Sequence, residues 1–249
     1  MTGRLLVRGM LVGLIAGILA FGFAKVFGEP QVDHAIALEG SMSHSHSHGD
    51  AGAAAEPEEE LVSRGVQSTF GLFTGVAVYS IALGGIFALV FAYSLGRIGK
   101  VGPRGLAALL ALAAFVVVFL VPGLAYPPNP PAVGNPETIG QRTKLFFLMI
   151  VVSVVAAVIA INAGRKLIAS SGLWNGAIGG VALYLVIVAV AAYLFPTINE
   201  VPEHFPAPLL WKFRTASLGI QLVLWTSLGL IFGSVAERLL YPAARAVKA

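Results

Sequence analysis

Six stretches of the chain are apolar for about the length of a membrane crossing, and this restricts the fold more than any other feature. They run over residues 5–27, 67–95, 104–124, 145–163, 173–195 and 214–236. A hydrocarbon core about 30 Å thick is crossed by about 20 helical residues. Inside lipid the backbone has no water to bond, so each stretch has to be a helix. The expected fold is an all-α membrane protein, a bundle of about six transmembrane helices in one transmembrane domain over residues 1–249. The first run carries Arg4 and Arg8 and a faint Gly22-Phe23-Ala24 signal, as a cleavable leader does. Its apolar core has full span length, which favours a retained helix.

Composition agrees. Charged residues make up 11% of the chain, against about 25% in soluble domains. The 16 Lys and Arg exceed the 12 Asp and Glu, but they lie between apolar runs rather than in a patch, which excludes nucleic acid as a partner. There is no cysteine, which excludes disulfides and thiolate metal sites. With four methionines, a thioether copper path is not expected.

Six crossings place both termini on one side, and basic residues favour the cytoplasmic side. The terminal side holds ten: Arg4, Arg8, Arg97, Lys100, Arg104, Arg165, Lys166, Arg238, Arg245 and Lys248. The other side holds six: Lys25, Arg64, Arg142, Lys144, Lys212 and Arg214. The termini are therefore expected in the cytoplasm, with inner loops at 96–103 and 164–172 and the protein in the cytoplasmic (inner) membrane. Of the acids only Glu237 is inside and the other eleven are outside. An outer face of this charge attracts cations.

The longest outer loop, 28–66, contains a segment, 40–60, too poor in large apolar side chains to fold alone and expected to be disordered. Within it stands Ser43-His44-Ser45-His46-Ser47-His48. On an extended chain alternate residues point the same way, about 6.6 Å apart. Three imidazoles so placed wrap a borderline divalent ion, with Glu39, Asp50 or water completing the shell and His34 and Met42 as helpers. A plain solvated linker has no need of such clustering. A second candidate set is the acids and amides of the outer mouth, Glu29, Asp33, Asn129, Glu137, Asn199, Glu200 and Glu203, whose oxygens suit hard or borderline dications. Glu29, Asp33, Asn199 and Glu200 stand closest to helix ends and are the stronger metal candidates. For any one of them ordinary loop polarity is the competing reading.

Arg64, Arg142 and Arg214 begin the three returning helices, where the macrodipole disfavours cations. Outer-mouth ion pairing with the carboxylates is the expected compensation. Prolines or acids end each outbound helix, at Phe27-Gly28-Glu29-Pro30, Tyr126-Pro127-Pro128 and Phe195-Pro196, which suggests three repeated helical hairpins. Glycines four apart (Gly9, Gly13 and Gly17; Gly71 and Gly75; Gly176 and Gly180; Gly229 and Gly233) read as close helix packing. Asn162, Asn175 and Gln221 read as interhelical hydrogen-bond formers, with a pathway role open for Gln221. No G-x-x-x-x-G-K-[ST], H-E-x-x-H or G-x-S-x-G occurs, so the chain is not expected to be an enzyme.

The order of motifs resembles the CbtA family. The likeness lies in L-V-R-G-M-L-V-G-L-I-A-G near the start, F-G-E-P-Q-V-D at 27–33, V-S-R-G-V-Q at 62–67, Y-P-P-N-P-P-A-V-G-N-P-E-T-I-G-Q-R-T at 126–143, N-E-V-P-E-H-F-P-A at 199–207 and L-W-K-F-R-T-A-S-L-G-I-Q at 210–221. The resemblance implies a cobalt transporter subunit that works with a small, single-span, histidine-rich CbtB-like partner, with Co2+ as substrate and no tightly bound cofactor. The residues alone indicate a metal-attracting protein of the lipid bilayer, with a homo-oligomer left open. The competing function is a non-transporting membrane metal sensor or assembly factor.

Overall fold

The computed structural model describes residues 1–46, 62–99 and 101–241. The described elements are helical: α1 (Thr2–Phe23), α2 (Glu29–His46), α3 (Arg64–Val66), α4 (Leu72–Ser94), α5 (Pro103–Ala114), α6 (Val121–Ala125), α7 (Ile139–Leu194) and α8 (Ala207–Leu240). Five continuous helical stretches, Thr2–Ser41, Arg64–Ser94, Pro103–Ala125, Ile139–Leu194 and Ala207–Leu240, are long and apolar enough to cross a membrane.

The 56-residue α7 is folded in two. Gly172 has φ 83° and ψ 169°, a backbone state open to glycine and strained for other residues. On a straight helix residues 160 and 180 stand about 30 Å apart. Here a Cβ placed on Gly180 lies 3.1 Å from the Ala160 carbonyl, and one on Gly164 lies 3.1 Å from the Gly176 carbonyl. The limbs 139–171 and 173–194 therefore run antiparallel, each longer than the roughly 20 residues a span needs. With the other four stretches they make six membrane-length segments, as the apolar runs indicate. The inner loop expected at 164–172 shrinks to the turn at Gly172, because the helix continues through Ser171.

Three wider π-helical turns interrupt the helices, at Ala24–Gly28, Gln67–Gly71 and Phe115–Leu120. The first and third immediately precede Glu29-Pro30 and Val121-Pro122, where the Glu29 and Val121 N–H groups bond five residues back to Ala24 and Val116. Proline lacks an N–H and its ring crowds the carbonyl four residues earlier. Widening the turn just before it lets the helix continue. The first helix accordingly does not stop at residue 28 but runs on as α2 to His46, into the loop expected over 28–66. The backbone at His44 and His46 is helical rather than extended, while His48 and residues 47–61 lie outside the described residues.

The chain forms two compact units. In unit 1 (1–113, 130–132 and 206–249), α1 and α4 pack antiparallel along one seam. A Cβ on Gly9, Gly13 or Gly17 would come within 3.0 Å of Gly84, Ser80 or Ala88 atoms. Phe21 meets Phe73 edge-on at 5.4 Å. α8 joins α1 where Gly219 faces the Phe23 ring, and joins α5 where Gly229 and Gly233 face Ala111, Ala107 and Arg104. Glu237 pairs with Arg104 at 2.7 Å. Not every spaced glycine is a contact. A Cβ on Gly75 meets nothing within 4 Å. Gly75→Ala should leave stability unchanged or raise it slightly, since alanine is the better helix former by about 1 kcal/mol; thermal melting of the purified protein reads this.

In unit 2 (114–129 and 133–205), Tyr126, Met149, Ala156, Ala160, Tyr184 and Val188 form a buried core, with a hydrogen bond of 2.8 Å between the Ser153 and Tyr184 hydroxyls. Asn162 donates within its own limb, to the Val158 carbonyl four residues earlier, whereas Asn175 donates across the turn at Gly172, to the Ser171 carbonyl.

Candidate functional site

In unit 1 the first helix presents Lys25, Glu29 and Asp33 four residues apart, hence on one face. The returning helix presents Arg64 and Ser68 with the same spacing. The two faces meet as a ladder. Lys25 Nζ donates to the Ser68 carbonyl and hydroxyl, both at 3.0 Å. Ser68 lies in the second π-helical turn, and Lys25 binds the Ser68 carbonyl across the seam. One turn further along, the Arg64 guanidinium reaches Glu29 Oε2 at 2.5 Å and Asp33 Oδ1 at 2.9 Å, both from Nη2. Nε adds a second bond to Asp33 at 3.0 Å. The two carboxylate oxygens share one nitrogen and are therefore at most about 5.4 Å apart. Exposure rises outward, from 10% for the Glu29 side chain to 57% for Asp33, with Arg64 at 30%. Arg64 stands at the first position of its helix, where the dipole opposes its charge, and these two acids provide the compensation.

Unit 2 holds a different arrangement. The Glu200 side chain is 2% exposed. Its oxygens accept hydrogen bonds from Thr138 Oγ1 at 2.8 Å and Asn129 Nδ2 at 3.4 Å, and Arg142 Nε lies 3.5 Å away. The Arg142 guanidinium also donates to the Pro127 carbonyl. Tyr126 donates to the Pro196 carbonyl at 2.9 Å, and burial pushes its phenol pKa up. The Pro196 carbonyl and the Asn129–Glu200 bond tie 126–129 to 196–200, while the Pro127 carbonyl anchors Arg142 of α7. Beside Arg142 a cavity of about 240 Å3 lies against Phe119, Tyr126 and Phe146.

Of the metal candidates read from the sequence, Glu29 and Asp33 are brought together on Arg64. Glu200 pairs with Arg142, but its oxygens are already held by three neighbours. Asn199 Oδ1 accepts the Val201 N–H at 3.2 Å. His34 is exposed on α2 beside Asp33. Among the described residues no three His, Asp or Glu side chains gather into a metal cage. Arg214 lies in the early turns of α8. Sequence reading missed Lys25, Ser68 and Thr138. The spacing of Lys25, Glu29 and Asp33 by fours was legible, but it counts only once residue 28 is known not to end the helix.

Long apolar helices, six membrane-length segments and charged side chains gathered at helix ends define a multi-pass helical membrane protein. The chain belongs to the CbtA family, described as probable cobalt transporter subunit, whose pattern matches residues 2–237. Neither a curated protein nor a solved structure matches it.

Proposed function

We propose that this chain carries a divalent transition-metal cation, cobalt by the family's description, across the cytoplasmic membrane, and that Glu29 and Asp33 receive the ion at the outer face. The observation that carries the proposal is the pair of carboxylates, one helical turn apart, converging on a single guanidinium. With Arg64 in place the trio has a formal charge of −1. A dication in its place brings the two carboxylates to neutrality. Metal–oxygen bonds near 2.1 Å let one ion bridge oxygens about 3–4 Å apart, so a small side-chain rotation closes the site. Arg64 then acts as a stand-in cation, holding the acids in place until metal arrives. Glu200, buried and fully engaged, is assigned to structure and not to metal.

In this reading the termini are cytoplasmic and the segment with His44, His46 and His48 faces outward, where its imidazoles raise the local metal concentration. A second subunit, as the family's description implies, takes part in the complex, and a single-span histidine-rich CbtB-like protein fits that role. Two measurements in cells expressing the chain test this. Deleting residues 41–60 should weaken cobalt uptake at low metal and leave it intact at saturating metal. Loss at saturation, with normal insertion, rules out a collecting role. Asp33→Asn should reduce uptake at low metal with little change in stability, because Asp33 is half exposed. Uptake equal to wild type at every cobalt concentration removes Asp33 from the receiving site.

A further inference from the structure

α8 carries Arg214, Ser217, Gln221 and Trp225 at spacings of three and four, which place them on one face. Ser217 donates to its own helix, at the Phe213 carbonyl. Gln221 lies near the middle of α8. Its Oε1 is buried and has no hydrogen-bond partner among the described residues, and the same holds for Trp225 Nε1. Trp225 is 5% exposed. An unpaired acceptor and an unpaired donor at this depth are costly. They stand one helical turn apart, and a donor and an acceptor so spaced suit one bridging water, which would accept from the indole and donate to the amide. One turn further along α8 the polar stripe ends. Leu228 and Phe232 are fully buried, and Phe232 stands edge-on to Phe87 at 5.4 Å and to Phe91 at 5.1 Å.

We propose that Gln221 and Trp225 form a water-binding step at mid-membrane depth in unit 1. It is the deepest part of a hydrated route used by the cation, closed beyond it by Phe87, Phe91 and Phe232. The cation passes as its hydrate, held through its waters by the Gln221 carbonyl. No carboxylate stands at this depth, so the ion is not trapped there. The water site follows from the buried polar atoms alone, whereas its use by a metal rests on the transport reading.

The chain has no cysteine, so Gln221→Cys in the full-length protein carries a single thiol. Unsealed membrane fragments, open to reagent from both faces, are treated with a charged methanethiosulfonate. Leu222→Cys is the comparison, because Leu222 is 45% exposed on the apolar surface of the same helix. Gln221→Cys should react at least tenfold faster than Leu222→Cys, and millimolar cobalt should slow it several-fold. Ser217→Cys, one turn nearer the acidic end, should react at least as fast, and it decides the matter if Gln221→Cys fails to accumulate. Reaction no faster than at Leu222 overturns the hydrated step. Fast reaction that cobalt leaves unchanged overturns its use by the metal. Labelling needs no uptake, so a labelled chain whose wild type moves no cobalt contradicts the transport reading and leaves the water site standing.

Discussion

Arg142→Ala should lower stability by about 3–5 kcal/mol, the cost of leaving a buried charge without its partner. The Glu200 side chain is 2% exposed and Arg142 is 18% exposed, so solvent cannot take over from the guanidinium. Thr138 and Asn129 remain as donors, but neither carries charge. Removing both charges together, as Arg142→Met with Glu200→Leu, should recover much of the loss, since apolar replacement of a whole buried pair is often close to neutral. Arg104→Ala is the exposed comparison. Its pair with Glu237 is 62% and 38% exposed, and such pairs contribute about 0–1 kcal/mol. Unfolding in detergent reads all three. An Arg142→Ala loss no larger than that of Arg104→Ala would show that the unit 2 pair is open to water in solution.

Gly13→Val should be comparably damaging, about 3 kcal/mol or more, through overpacking. A Cβ at Gly13 would press on the Ser80 carbonyl and lie 3.1 Å from Gly84 Cα. Both neighbours are backbone, so no rotamer change relieves the clash, and α1 and α4 would have to separate. The ladder of Lys25, Glu29 and Asp33 against Ser68 and Arg64 stands on that same seam. The substitution should therefore loosen the proposed receiving site as well as the fold. Melting and cobalt uptake should fall together. A variant that melts like wild type would mean that the seam is looser than its glycine contacts imply.

The spans were legible because lipid imposes length and apolarity, which are composition properties. Element boundaries were not. Residues 28–46 read as loop because Glu29-Pro30 looks like a helix stop, and the π-helical turn that accommodates Pro30 has no composition signal. Residues 164–172 read as a basic loop because Arg165 and Lys166 suggest one. Nothing in that stretch shows that Gly172 alone reverses the chain. That Arg64 calls for carboxylates can be read from sequence, since its position against the helix dipole is a local property. That Glu29 and Asp33 supply them depends on the register of α1 against α4, set by glycines far along the seam. Glu200 resembled the other outer acids in sequence. Its burial depends on Thr138, Asn129 and Arg142 folding over it, which spacing alone does not reveal.

The most direct measurement is radioactive cobalt accumulation in vesicles reconstituted with the full chain, alone and with its partner subunit. Wild type is compared with the double variant Glu29→Gln, Asp33→Asn. The account predicts saturable accumulation by wild type. For the double variant it predicts at least a tenfold loss at low cobalt, with stability reduced only moderately because the amides still accept hydrogen bonds from Arg64. Wild-type vesicles that accumulate no cobalt under either condition, or a folded double variant that accumulates it as wild type does, would contradict the account.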